Sequence, residues 1–408
     1  MLRKFLDKQG KAFAKGGRFE KLYPLYEAID TFLYTPGAVA KKASFVRDAV
    51  DLKRMMFTVV IAMTPAILFG IYNTGYQANL AMASGLSALD NWHTALVEML
   101  GVGFAPDNLI ACFVHGLIYY LPILIVTFAV GGFWEVLFAA VRKHEVNEGF
   151  FVTGMLIPML VPATIPLWQV AVATSFGIVI GKEVFGGVGY NILNPALTAR
   201  AFLFFAYPGE ISGNSVWVAV DGFTSATPLA LVAEQGMGAL NTTIQIAGND
   251  FSMWMASFLG FIPGSFGETS TLAALIGAFI LIVTGVASWR IMISVVVGAF
   301  AMSSILNAVG SESNMMMSMP FHWHLVVGGF AFGTVFMATD PVTAPASNTA
   351  RVIYGVLIGV LVVLVRSVNP AYPEGMMLSI LLMNVFAPLI DYYVVKAHKK
   401  KRMARYVG

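Results

Sequence analysis

The chain has 408 residues, 58% hydrophobic and only 12% charged, with a mean hydropathy of +0.75. Soluble domains carry about 25% charged residues, so this composition excludes a water-soluble globule and describes an integral membrane protein. Its net charge of +3 is small, no nucleic-acid partner is expected, and a single cysteine, Cys112, in an apolar stretch excludes disulfides and cysteine-ligated clusters within the chain.

Residues 1–54 hold twelve Lys or Arg and no apolar run ahead of a small-residue cleavage site, so they are not a signal peptide. They read as a basic cytoplasmic segment that lies along the anionic leaflet or against a partner protein, or equally as a solvated tail that only sets topology. Apolar stretches follow at 55–72, 109–141, 149–161, 166–181, 195–207, 271–288, 291–309, 322–338, 352–365 and 375–395. They predict an all-α protein of about ten transmembrane helices, although 149–161, 195–207 and 352–365 fall below the roughly 17 residues that cross a bilayer alone.

Charge placement predicts orientation. Six basic residues follow the last stretch, and Arg142, Lys143, Lys182, Arg290 and Arg351 sit in short connections, while 74–108 and 208–268 contain no Lys or Arg. The positive-inside rule then places both termini in the cytoplasm and those two long segments outside. Arg366 is an outer-face exception, and Arg200 falls inside an apolar stretch.

An internal repeat divides the chain. Asn194-Pro195-Ala196 opens the fifth stretch and Asn369-Pro370-Ala371 precedes the tenth, so two five-helix halves carry the same tripeptide at corresponding places. Five is odd, so the halves are inverted relative to each other, as in transport proteins with broken helices near the bilayer midplane. Asn is a good helix cap and Pro a good first helical residue, so each tripeptide also reads simply as a helix start. The expected organisation is a basic segment 1–54, a first repeat 55–207, an outward loop 208–270, a second repeat 271–395 and a basic tail 396–408.

Within the outward loop, Asp221-Gly222-Phe223-Thr224-Ser225-Ala226-Thr227 resembles the D-x-x-[ST]-[GS]-A-T acceptor at which flavin transferases join FMN to threonine through a phosphoester. A threonine hydroxyl is a weak nucleophile and no histidine base lies nearby, so a separate enzyme must make that bond on an accessible loop. The small neighbours Ser225 and Ala226 suit such an enzyme's pocket, and equally suit an ordinary loop.

Ionisable groups at membrane depth are expensive and point to function. Glu135, Asp340 and Asp391 stand near the ends of apolar stretches. Their carboxylates suit a small hard cation, and they also suit helix capping or pairing with Lys182, Arg351 or the basic tail. Gly131-Gly132 bares one helix face, for close packing or for a flat ring. Gly186-Gly187-Val188-Gly189-Tyr190-Asn191 reads as a turn lining a cavity and not as a dinucleotide fingerprint, because no strand precedes it. His322 and His324 around Trp323 are spaced like an interfacial belt and match no metal site.

Segments 45–54 (FVRDAVDLKR), 131–149 (GGFWEVLFAAVRKHEVNEG), 191–207, 221–227, 330–340 and 369–377 together resemble the family of membrane B subunits of sodium-translocating NADH:quinone oxidoreductases, essentially end to end. The resemblance implies one of six subunits in a bacterial inner membrane, matured by a flavin transferase, in a complex that passes electrons from NADH to ubiquinone while Na⁺ crosses the membrane. It implies covalent FMN on Thr227, with Asp221, Thr224, Ser225 and Ala226 as recognition context. It further implies a non-covalent riboflavin, for which Asn191 and Asn194 are candidate contacts, a quinone site at Gly131 and Gly132, and Na⁺ handling by Glu27, Glu135, Asp340 and Asp391. Two departures stand out: the acceptor reads Thr-Ser-Ala-Thr where Ser-Gly-Ala-Thr is expected, and Tyr190 replaces a basic residue, which removes a positive charge near Asn191. The expected mechanism is redox-driven pumping through a cation site between the inverted halves. A channel or solute carrier with the same repeat would leave 221–227 without a role.

Overall fold

Long uninterrupted runs of Leu, Ile, Val, Phe and Ala satisfy their own backbone as helices, and helices dominate the computed structural model. It describes residues 2–13, 16–20, 23, 26, 30, 52–143, 146, 149–211, 216–220, 227–246, 248–311, 314–368 and 374–407. In chain order these form α1 (Leu2–Phe13), α2 (Leu52–Ala83), α3 (Trp92–Leu100), α4 (Leu109–Arg142), α5 (Gly149–Met159), α6 (Leu167–Val179) and α7 (Pro195–Ala206). Then come α8 (Pro228–Gln235), strands β1 (Thr243–Ile246) and β2 (Asn249–Ser252), α9 (Met253–Leu259), α10 (Thr271–Val283), α11 (Trp289–Val309), α12 (Phe321–Val326), α13 (Phe330–Phe332), α14 (Asn348–Val368) and α15 (Met376–Val407).

Among the described residues, six helices are long and apolar enough to cross a membrane: Arg54–Ala83, Leu109–Arg142, Leu167–Phe185, Trp289–Val309, Asn348–Val368 and Met376–Arg405. Helices α5, α7 and α10 are apolar but shorter. The 322–338 stretch, expected as one span, is instead α12, a break at Val327, Gly328 and Gly329, α13, and a π-helical turn over Gly333–Met337. Gly328 has φ +63°, a left-handed conformation that breaks the helical path. The protein is also not purely α-helical. β1 and β2 pair antiparallel, Thr243 opposite Ser252 and Ile246 opposite Asn249, because a loop this long satisfies its backbone locally.

Caps explain the helix starts. Asn108 accepts from the N–H groups of Ile110 and Ala111 at α4, and Asn194 accepts from Ala196 and Leu197 at 3.0 and 3.2 Å at α7, with Pro195 at the first helical position. The first Asn-Pro-Ala is thus a helix start; the second, at 369–371, lies outside the described residues.

The helices pack around one continuous apolar core. In the first half α4 packs on α6, α6 on α7 and α2 on α5; in the second, α11 packs on α14, α14 on α15 and α10 on α13 with its π-turn. Between halves α2 meets α10 and α7 meets α15. Outward from the core, Phe57, Phe133, Phe279 and Phe300 are each more than half exposed. Aromatic rings so placed on several long helices match a lipid surround and not water.

Candidate functional site

Thr227 lies at the start of α8. Its φ and ψ of −62° and 153° are those of a helix cap, its Oγ1 accepts from the Ala230 N–H at 3.3 Å, and Pro228 follows as first helical residue. A helix N-terminus gathers unsatisfied N–H groups and the positive end of the helix dipole, so a phosphoester on this hydroxyl would place its anionic oxygens where that end stabilises them. Asp221, Thr224, Ser225 and Ala226 lie outside the described residues. Helix α8 is anchored by Leu229 and Val232 in a small core with Leu240, Met316, Met319, Trp323, Val326 and Val327. Trp323 and His324 are therefore buried, at 7% and 1% exposure, which corrects their expected place in an interfacial belt. The loop core covers Trp323, and Arg366 of α14 lies against His324.

A second site is a cavity of about 70 Å³, partly open to solvent, where both halves of the chain meet. Asn191, Asn194 and Lys182 enter it from one half, and Phe336, Thr339 and Asp340 from the other. The turn 186–191 lines it through Val188 and Asn191, as its sequence suggests, with Gly186, Gly187 and Gly189 at φ +124°, +95° and +91°. Asn194 Nδ2 donates to Asp340 Oδ2 at 3.5 Å, across 146 residues of sequence. Asp340 also accepts from the Val342 N–H at 3.1 Å and the Thr343 hydroxyl at 3.0 Å. Asn191 Nδ2 donates to the Leu193 carbonyl at 3.0 Å. Apolar walls of Val152, Leu156 and Phe336 meet a few convergent polar groups, the composition of a ligand pocket, but a space of about 70 Å³ is smaller than a flavin ring system fills.

Glu135 reaches the rim of this cavity through Lys182, with which it forms a buried ion pair. Lys182 is also 3.6 Å from Glu183, and Glu183 is 3.2 Å from Arg142, so four charges alternate in sign inward from the end of α4. Lys182 brings to the cavity a positive charge of the kind that Tyr190, 73% exposed, does not provide. Asp391 stands apart from these groups. It accepts from Ala346 and Ser347 N–H at 2.6 and 3.0 Å, holding the turn into α14. Glu27 lies outside the described residues.

The two glycines differ. A Cβ at Gly131 would overlap the Phe150 ring and lie 2.7 Å from Ile178 Cδ1, so that position serves helix packing, whereas at Gly132 the nearest atom is Phe150 Cε1 at 3.9 Å. A side chain at Gly132 would thus make only an ordinary van der Waals contact.

A third group was legible in sequence only as misplaced charge. Arg200 is 8% exposed and lies 3.8 Å from Glu268 Oε2; Arg366 is fully buried. Glu268 and Glu374 line a water-sized cavity with Arg200. Both glutamates border apolar stretches, and nothing in their sequence neighbourhood singles them out.

These features define a multi-pass membrane protein with a broken helix and, between its two halves, a largely apolar cavity with a few polar groups. The chain belongs to the NQR2, RnfD, RnfE family, which matches residues 39–400. It is 58% identical over 409 residues to the B subunit of the Na(+)-translocating NADH-quinone reductase of Ectopseudomonas mendocina (strain ymp), covering 100% of each chain. The protein of the same name from Azotobacter vinelandii (strain DJ / ATCC BAA-1303) is 57% identical over 411 residues, again covering 100% of each. That of Pseudomonas aeruginosa (strain LESB58) is 56% identical over 407 residues, covering 99% of each.

Proposed function

We propose that this chain is the membrane-embedded B subunit of a sodium-translocating NADH:quinone reductase, that it carries FMN on Thr227 as a phosphothreonine ester, and that it holds riboflavin non-covalently, with Asn191 and Asn194 as cofactor contacts. The carrying observation is that Thr227 caps a helix whose N-terminus is ready for phosphate, within a chain similar over its whole length to such subunits. When bound, the flavins supply one-electron transfer; the chain's own residues hold them, exclude water and guide the ion.

Thr227 anchors one group and the α8 N–H groups orient its phosphate. Lys182 supplies positive charge to the cavity, and Asp340, held by Thr343 and Asn194, presents a carboxylate at the junction of the halves. Glu135, Asp340, Asp391 and Glu27 guide Na⁺. Moving one charge against 100 mV takes about 2.3 kcal/mol, which a modest fall in redox potential per electron provides. Ubiquinone approaches the face at Gly132 beside Gly131.

Three pairings recur in the two halves, α4–α6 as α11–α14, α6–α7 as α14–α15 and α2–α5 as α10–α13, which supports two five-helix repeats; their inversion, with cytoplasmic termini in a bacterial inner membrane, follows from the odd helix count and the positive-inside rule. Five further subunits, which hold the NADH site, and a maturing flavin transferase are the partners. A channel or solute carrier would share the repeat but leave Thr227 unmodified.

The deciding experiment is ultraviolet fluorescence of the chain on a denaturing gel after coexpression with a flavin transferase. A fluorescent band that Thr227→Ala abolishes is expected. A dark wild-type band, with the transferase active on another acceptor, would bring the channel or carrier forward.

A further inference from the structure

The helix break at 327–329 leaves polar ends inside the protein. The last carbonyls of α12 and the first N–H groups of α13 have no partners within their own helices, and in a bundle interior each must be met by another group. Arg366 meets the first set: Nη1 donates to the His324 carbonyl at 3.0 Å and Nη2 to the Val327 carbonyl at 2.9 Å. Its Nε donates to the Glu374 carbonyl at 3.1 Å. At the other side Glu374 Oε2 accepts from the N–H of Gly329, the residue before α13, at 3.2 Å. A positive side chain thus caps the negative helix end, and a carboxylate caps the positive one.

Burying a guanidinium completely is costly, and a continuous helix across 321–337 would need neither group. What the break provides is contact in two directions. On one side α12 and Val327 share a core with Leu229 and Val232, two and five residues after Thr227. A Cβ at Gly328 would meet Leu229 Cδ1 at 2.7 Å and Glu374 Oε2 at 2.5 Å, so arm, break and carboxylate are in direct contact. On the other side α13 runs into the π-turn, whose Phe336, with Thr339 and Asp340 just beyond it, lines the cavity between the halves. π-turns inside helices concentrate at functional sites.

We infer that Arg366 and Glu374 are positioning residues that make the broken helix a joint, through which displacement of the Thr227 arm moves Phe336 and Asp340. The inference rests on the pump reading above and adds to it the element that couples electron transfer to ion movement. Arg366 donates to carbonyls of α12 and of the break, and Glu374 accepts from Gly329 just before α13, so the two side chains hold the two sides of the break.

The test uses the whole complex in sealed vesicles, following quinone reduction and Na⁺ uptake together. Glu374→Gln, Arg366→Lys and Leu229→Ala are each expected to lower ions moved per electron at least threefold while electron transfer stays within about threefold of wild type. That ratio is insensitive to loss of folded protein, which lowers both rates alike. An unchanged ratio in the variants overturns the joint; a wild-type complex that reduces quinone without Na⁺ uptake overturns the pump reading instead. If the charge variants fail to assemble, Leu229→Ala decides alone. Independently of turnover, amide exchange in Leu229→Ala should rise at 330–337 as well as at 321–326. A rise confined to 321–326 would mean that the break insulates its two sides, and would end the proposal.

Discussion

At the scale of single residues, the acidic groups that look alike in sequence divide by what they touch. Glu135 is joined to Lys182 with both side chains almost fully buried, whereas Asp391 holds backbone N–H groups at the start of α14. Removing one member of a buried pair strands the other charge, at a cost of about 3–5 kcal/mol, while removing both is far milder. Lys182→Met, which leaves two buried carboxylates with one cation fewer, is therefore expected to destabilise the protein more than Glu135→Gln, after which Lys182 keeps Glu183 at 3.6 Å, and the double variant less than the sum of the two. Glu183 retains Arg142 at 3.2 Å throughout, so it is not stranded. Denaturant titration of the purified chain in detergent would measure this; additive losses would sink the argument. Sequence alone placed Glu135 near Lys182 as one option among several, because a separation of 47 residues carries no distance information.

At the scale of elements, small residues decide how closely helices approach. In α11 and α14 an added Cβ at Gly298 would overlap the Val356 carbonyl oxygen, and one at Gly359 would overlap that of Val295. Those obstacles are backbone, which cannot swing away as a side chain can. In membranes this close approach is a main source of helix association. Gly298→Ala should cost about 1–3 kcal/mol and lower the thermal midpoint, and Gly132→Ala, which makes only an ordinary van der Waals contact, should not. Equal losses at both positions would refute the packing account. The same scale explains why the 322–338 stretch misleads: its hydrophobicity is continuous, and the break depends on Arg366 and Glu374, which come from outside it.

At the scale of the whole molecule, the halves are not independent. The Asn73 side chain donates to the Ile262 carbonyl at 2.9 Å, the Gly267 N–H donates to the Met159 carbonyl at 2.9 Å, and Asn194 reaches Asp340. A Cβ at Gly277 would lie 2.5 Å from the Ala62 carbonyl, so α2 and α10 meet at backbone distance. Segments 1–207 and 208–408 expressed as separate chains in one cell are expected to copurify. Each purifying alone as a monodisperse species would show that the core is not shared.

Composition and apolar runs determined the membrane class, and the Asn and Pro caps determined where α4 and α7 begin, because both are local properties of a chain that must satisfy its own backbone in lipid. The turn at 186–191 was legible for the same reason: its glycines permit the conformations it adopts. Residues 221–226, which carry most of the acceptor motif, remain legible in sequence alone. Only the tertiary structure brought Asn194 to Asp340, Lys182 to Glu135, and Arg366 and Glu374 to the two ends of a broken helix. Each of those contacts joins residues distant in sequence, and burial, not local pattern, makes their pairing obligatory.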